Sequence, residues 1–293
     1  MDQAQNLRNI IKMNKNIALP TTNTRIIAVT SGKGGVGKSN VSVNLAVNLK
    51  KMGKRVLIFD ADFGLANVEV MFGAIPKHNL NDVIYNGMPI KDIISVGPYD
   101  IPFISGGSGI LGLSNLNRDQ LGLLLRSMSE LDDMADIIII DTGAGIADTV
   151  MEFVSASSEV ILVTTPEPSS LTDSYSLLKV LSCRNNFDRV NTTIKVVANK
   201  ASSREEGESV FNRLRTVSDQ FLNINMSFLG IVPKDAALEK AVMQQVPVSI
   251  SSPDSKSARS FEELATSIIN NATYNERNNS GMARMIAKLF NRF

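Results

Sequence analysis

Short apolar runs punctuate this chain at residues 26–29, 56–59, 100–104, 136–140, 160–164, 194–198 and 228–232. Most are rich in Val and Ile, and turn-forming Gly, Pro, Asn or Asp residues lie close by. That is the pattern of short strands buried on both faces. Residues 137–140 are four consecutive isoleucines, which leave no polar face to turn towards water, so they predict a central parallel strand. Between the runs the period changes to that of a helix. Val41, Leu45, Leu49 and Met52 share one side of a predicted helix that Gly53 would stop. Further helical patterns cover 78–85, 113–131, 169–181, 205–222 and 260–269, the last with Ser260 and Glu263 at capping-box spacing. Strands alternating with helices predict an α/β fold, a doubly wound and mostly parallel sheet with helices on both faces. Residues 25–270 would form this domain, preceded by a polar segment 1–24 and followed by a linker 271–280 and a terminal amphipathic helix 281–293.

Composition narrows the picture modestly. Of the 293 residues 43% are hydrophobic and 20% charged, ordinary for a globular domain with a sizeable core. The formal net charge of +1 gives no global electrostatic case for nucleic acid. One cysteine, Cys183, excludes an intrachain disulfide and a cysteine-built cluster. The first residues lack the apolar core of a signal peptide, and no run nears the roughly 20 apolar residues of a spanning helix. Cytoplasm is the expected compartment.

Chemistry concentrates where the first strand ends. Residues 32–40 read Gly32, Lys33, Gly34, Gly35, Val36, Gly37, Lys38, Ser39 and Asn40, and they satisfy G-x-x-x-x-G-K-[ST] between a strand and a helix. In such a loop backbone N–H groups cradle phosphates, Lys38 neutralises them and the Ser39 hydroxyl holds Mg²⁺. The glycines permit positive φ and close backbone approach, and the helix N-terminus adds its dipole. Lys33 is a second cation that a generic loop does not need. Two further apolar runs end in carboxylates, Asp60 and Asp62 after 56–59 and Asp141 after 136–140. Both would lie at the carboxyl edge of the sheet beside the phosphates, with Asp141 acting on Mg²⁺ through water. Asn199-Lys200-Ala201-Ser202 has the outline of a guanine-reading N-K-x-D but lacks its acid, which favours ATP over GTP.

The loop with a lysine at each end resembles the deviant Walker A ATPases, the group of MinD, ParA, ArsA and the nitrogenase iron protein. The resemblance covers about residues 25–270. It implies a P-loop NTPase that dimerises around ATP, with Lys33 reaching the partner's nucleotide. It further implies that Asp62 orients or deprotonates the attacking water, and that Asp60 supports the magnesium shell. Asn199 would meet adenine, with Pro233 and Lys234 on the other side of the base. Lys33, Lys38 and Asp62 are thus the catalytic candidates, and ATP and Mg²⁺ the cofactors.

The stretch Asp60-Ala61-Asp62-Phe63-Gly64-Leu65-Ala66-Asn67-Val68, which resembles the switch I segment of MinD-like ATPases, and the N-terminal segment narrow the family. Asp2, Gln3, Ala4, Leu7 and Arg8 resemble the activator motif of the FlhG (FleN, YlxH) flagellar number regulators, where it stimulates the SRP-type GTPase FlhF. At the other end Met282, Met285, Ile286, Leu289, Phe290 and Phe293 repeat at helical spacing, with Arg284, Lys288 and Arg292 on another face. A basic amphipathic helix behind a linker suits reversible binding to an anionic membrane, and an ordinary helix docked on the body fits the same pattern. The implied partners are a second copy, the inner face of the membrane, FlhF and flagellar switch (C-ring) proteins, with no nucleic acid. A division-site MinD, a ParA-type DNA-partitioning ATPase and a non-hydrolytic nucleotide-gated scaffold are the competing readings. His78, the only histidine, has no acid or serine motif beside it and reads as a surface residue.

Overall fold

The computed structural model of the chain describes residues 24–63, 67–107, 118–189, 191–270, 281, 282 and 285. In chain order the elements are β1 (Arg25–Ser31), α1 (Lys38–Lys51), β2 (Val56–Ala61), α2 (Asn67–Phe72) and α3 (Leu80–Asn86). Next come β3 (Ser95–Gly97), β4 (Ile101–Ser105), α4 (Arg118–Met134), β5 (Ile137–Ala144), α5 (Asp148–Ala156), β6 (Glu159–Thr164) and α6 (Pro168–Ser182). The chain continues through β7 (Thr193–Ala201), α7 (Arg204–Phe221), β8 (Met226–Pro233), α8 (Ala236–Met243), α9 (Val248–Ser251) and α10 (Lys256–Asn270). Among the described residues the strands form one sheet in the order β3-β4-β2-β5-β1-β6-β7-β8. All pairings are parallel except that of β3 with β4.

The isoleucine run behaves as its composition requires. Ile137 and Ile139 enter the core on the side of α1, α2 and α10, while Ile138 and Ile140 enter the core on the side of α3, α4 and α5. A strand alternates its side chains, so only a strand covered on both faces has use for four apolar residues in succession. β1 lies beside β5 with Ile26 and Ile27 split in the same way. This central pair delivers the phosphate loop and Asp141 to one edge of the sheet. Strand order reverses around β1, the switch point where doubly wound folds place their ligands.

The periodicity did not mark α2, α5 or α8, and two further elements were too short to show any. β3 is three residues long and α9 four, each too brief to repeat a pattern. The expected capping box at Ser260 is not formed. α10 begins four residues earlier at Lys256, and the Ser255 hydroxyl accepts the Ala258 N–H at 3.2 Å, so Ser260 lies inside the helix.

At the opposite edge of the sheet a buried ionic cluster ties β1, β6 and β7 together. Glu159 receives Arg25 Nε at 2.8 Å and Nη2 at 2.9 Å, and Lys195 Nζ at 2.8 Å. Burial alone would push the Glu159 carboxyl up, but the Arg25 hydrogen bonds and the Lys195 charge outweigh it and hold the carboxyl below its ordinary value. Glu159→Gln should therefore cost about 3 to 5 kcal/mol, because two cations stay buried with their counter-charge gone. A carboxyl depressed in the folded state stabilises above its unfolded pKa and loses that contribution as pH falls through the folded value. Urea denaturation at stepped pH should show the wild type and E159Q converging as the pH drops below the ordinary glutamate range.

Candidate active site

The phosphate loop is shaped by glycine where side chains would be strained or have no room. Gly35 and Gly37 take φ of 76° and 94°, and Gly37 caps α1. Gly32 packs on the backbone of α6 so closely that an added Cβ would stand 2.2 Å from the carbonyl carbon of Asp173. α1 starts at Lys38, which leaves the unpaired N–H groups of its first turn directed at the loop.

Three donors from α1 converge on one fully buried carboxylate. Lys38 Nζ lies 3.1 Å from Asp141 Oδ1, the Ser39 hydroxyl 2.7 Å from Oδ2, and the Ser42 hydroxyl 2.7 Å from Oδ1. Asp60 is the register partner of Asp141 on the neighbouring strand and is also buried. Burial, and then the charge of Asp141, pushes the Asp60 carboxyl up to about 8. Two adjacent buried carboxylates beside a serine hydroxyl and a single lysine suit a divalent cation. Ser39, Asp60 and Asp141, the expected metal residues, therefore come together with donor chemistry that fits Mg²⁺. Asp60 also holds the following segment, since its carboxylate accepts the N–H of Asp62 at 3.0 Å and of Val68 at 3.1 Å. Asp62 is half-buried, and its Oδ2 accepts the Asn67 amide at 2.9 Å.

Lys33 is engaged within its own chain. Its Nζ lies 2.9 Å from Ser169 Oγ and 3.4 Å from Glu167 Oε2, at the start of α6. Asn199 is buried under the loop. Its Nδ2 donates to Val36 O at 2.6 Å and its Oδ1 accepts the Lys200 N–H at 2.9 Å, while Lys200 Nζ reaches Gly35 O at 3.2 Å. The expected base reader thus braces the phosphate loop from below. Pro233 ends β8 and Lys234 follows it, and Asp235 behind them accepts the Ala237 N–H and both the N–H and hydroxyl of Ser257, joining α8 to α10.

Several partners in this site carry no motif of their own. Ser42 could have been found from helical spacing, because it lies one turn after Lys38 on α1. Glu167 and Ser169 follow the end of β6 at the same edge of the sheet, but nothing local marks them as partners of Lys33. Asn67 opens α2, and no local spacing marks it as the partner of Asp62.

The terminal candidates divide. Asp2, Gln3, Ala4, Leu7 and Arg8 lie outside the described residues, as do Arg284, Ile286, Lys288, Leu289, Phe290, Arg292 and Phe293. Met282 and Met285 are fully buried in the core cluster of Leu124, Met128, Leu131 and Phe153. The Met282 N–H donates to Asp132 Oδ1 at 2.6 Å, and the Ser157 hydroxyl lies 3.4 Å from Met285 Sδ. At these two positions the tail packs on the body. No helix among the described residues is long and apolar enough to cross a membrane.

Comparison with known proteins gives a consistent set. Residues 22–269 match the ParA family model, described as NUBPL iron-transfer P-loop NTPase. The antiactivator FleN of Pseudomonas aeruginosa is 41% identical over 244 residues, 83% of this chain and 86% of that protein. The flagellum site-determining protein YlxH of Helicobacter pylori is 34% identical over 275 residues, 90% of this chain and 89% of its own length. Among solved structures, the septum site-determining protein MinD of Pyrococcus horikoshii in complex with Mg-ADP superposes with a TM-score of 0.66 at 27% identity, covering 85% of this chain and 98% of that one.

The raised Asp60 carboxyl has a measurable consequence. Its folded-state value of about 8 exceeds the 3.8 of an ordinary aspartate, so between those limits the folded protein keeps a proton that the unfolded chain has released. This group therefore lowers stability progressively as pH rises from about 4 to about 8, and the loss levels off above that. Asp60→Asn should flatten that slope. Urea midpoints across pH 5 to 8 in buffer free of nucleotide and magnesium are the check.

Proposed function

The chain belongs to the ParA/MinD family of P-loop ATPases, and from that membership we propose a MinD-type switch that regulates the number, placement and assembly of flagella. The observation that carries the flagellar reading is the 41% identity to the antiactivator FleN across 83% of the chain. The likeness to MinD of Pyrococcus furiosus, 27% identical, keeps a division-site role as the second reading.

In this reading the loop amides of residues 32–40 and Lys38 bind the ATP phosphates, and Ser39, Asp141 and Asp60 hold Mg²⁺. The magnesium, when bound, neutralises charge on the phosphates. Asp62 directs the attacking water. Lys33 leaves Glu167 and Ser169 and turns to the nucleotide of a second protomer. Its contacts in the chain are exposed, so the exchange sacrifices little. Asn199 supports the loop from below and presents the remainder of its amide to the adenine side, flanked by Pro233 and Lys234.

The terminal segments give this switch its outputs. Residues 281–293 would leave the body when two protomers close on ATP, and two copies of the helix bind an anionic membrane far better than one. Residues 1–24 would present Asp2, Gln3, Ala4, Leu7 and Arg8 to the GTPase FlhF, and C-ring proteins complete the set of partners. The protein would cycle between the cytoplasm and the inner face of the membrane.

Lys33→Ala, which removes a charge supplied across an interface, and Asp62→Ala, which removes the group that orients the water, should each lower steady-state ATP turnover on anionic vesicles by about a hundredfold or more. Both variants should still bind ATP. Turnover near the wild-type rate in either would contradict the mechanism. A peptide of residues 1–24 should stimulate GTP hydrolysis by FlhF, and no stimulation would shift the reading to a division-site MinD.

A further inference from the structure

Among the described residues around the exit of β2, three hydrogen bonds meet on two carboxylates. Asp60 takes the N–H of Asp62 on Oδ1 and the N–H of Val68 on Oδ2, so one buried side chain pins both ends of the stretch that carries Asp62. Asn67 then holds the Asp62 side chain itself, its amide Nδ2 donating to Oδ2 at 2.9 Å. A carboxylate can only accept, which fixes the orientation of the amide.

Asn67 stands on a rigid base. It opens α2, whose Val68, Met71 and Phe72 are buried in the core with α1, and the Phe72 ring meets Phe103 edge-on at 5.5 Å. With Oδ2 held by Asn67, the other oxygen of Asp62 lies on the side of Gly143. A Cβ built on Gly143 would stand 3.7 Å from Asp62 Oδ1. Gly143 is two residues beyond Asp141 on β5, so Oδ1 faces the strand that carries the proposed metal carboxylate.

We propose that Asn67 is a positioning residue for ATP hydrolysis, which holds Asp62 Oδ2 so that Oδ1 is presented to the water attacking the terminal phosphate. The proposal rests on the role given to Asp62 above. Asn67 acts only through Asp62, and its contribution is orientational. An aspartate rotates about two side-chain bonds, and a hydrogen bond from a fixed helix restricts that freedom. Partners that orient a reacting group in this way are commonly worth about ten- to a hundredfold in activity.

The test separates this role from a structural one at the start of α2. Aspartate is at least as good as asparagine at a helix N-terminus, so if Asn67 merely starts the helix, Asn67→Asp should hydrolyse ATP like the wild type. If Asn67 positions Asp62, N67D sets two carboxylates against each other and should be at least as slow as Asn67→Ala. Single-turnover and steady-state ATPase are measured for N67A, N67D, D62A and the double variant D62A/N67A. The KM for ATP and the binding of a fluorescent ATP analogue are followed in parallel. The expected result is a kcat about ten- to a hundredfold lower in N67A, with KM and nucleotide affinity within about twofold of wild type. N67D should be no faster, and N67A should cause no further loss in the D62A background. Wild-type kcat in N67A or N67D, or losses that multiply in the double variant, would overturn the positioning role. Normal turnover in D62A would instead overturn the role of Asp62, so the two failures are distinguishable.

Discussion

The buried carboxylate of Asp141 is the constraint on which the site depends. A charge removed from water in the middle of a sheet costs several kcal/mol unless it is paired and hydrogen-bonded. Lys38, Ser39 and Ser42 meet that requirement together, and all three belong to α1. The position of α1, and with it the mouth of the phosphate loop, is therefore tied to the central strand β5. Lys38 acts on Asp60 only as a smaller, opposing charge, and burial followed by the charge of Asp141 still pushes that second carboxyl up to about 8. Two neighbouring buried carboxyls share one lysine here, which leaves an environment that a divalent cation would complete.

From that corner physical connections run to both surfaces that a switch would need. The Gly145 N–H donates to Ser31 O at 2.8 Å, which binds the exit of β5 to the phosphate loop. The next element is α5, whose Phe153 lies in the core with Met282 and Met285, and whose capping residue Ser157 touches the Met285 sulfur. On the other side Gly32 rests directly on the backbone of α6, and Lys33 is held by two residues at the start of that same helix. The loop is thus in direct contact with α6, and the exit of β5 beside it leads into the helix on which Met285 packs. Both contacts are local and separable from the sheet, whereas the Glu159 cluster at the far edge keeps β1, β6 and β7 fixed.

Much of this was legible in the order of residues. The isoleucine run announced a central strand because nothing else makes use of four such side chains in a row, and the loop from Gly32 to Ser39 announced phosphate because its spacing is set by backbone geometry. Asp60, Asp62 and Asp141 could be placed at one edge of the sheet because each comes right after an apolar run, although the strands themselves extend through Asp60 and Asp141. What stayed hidden were contacts between segments far apart in the chain. The hold of Glu167 and Ser169 on Lys33 spans more than a hundred residues, and the bracing of the loop by Asn199 still more. The start of α10 was misjudged because two serines, Ser255 and Ser260, are chemically equal caps and only tertiary position chooses between them. The tail pattern allowed a surface helix and a docked one alike, and burial of Met282 and Met285 is decided by the groove that receives them.

The central claim is that Lys33 trades an intramolecular hold for a partner's nucleotide, and the mass of the ATP-bound protein tests it most directly. Light scattering on the hydrolysis-deficient Asp62→Ala protein with ATP and Mg²⁺ should give about twice the 31.8 kDa of the chain. The same protein carrying Lys33→Ala should stay at the mass of one chain while still retaining bound ATP. A D62A/K33A protein that dimerises on ATP as readily as D62A would contradict the account.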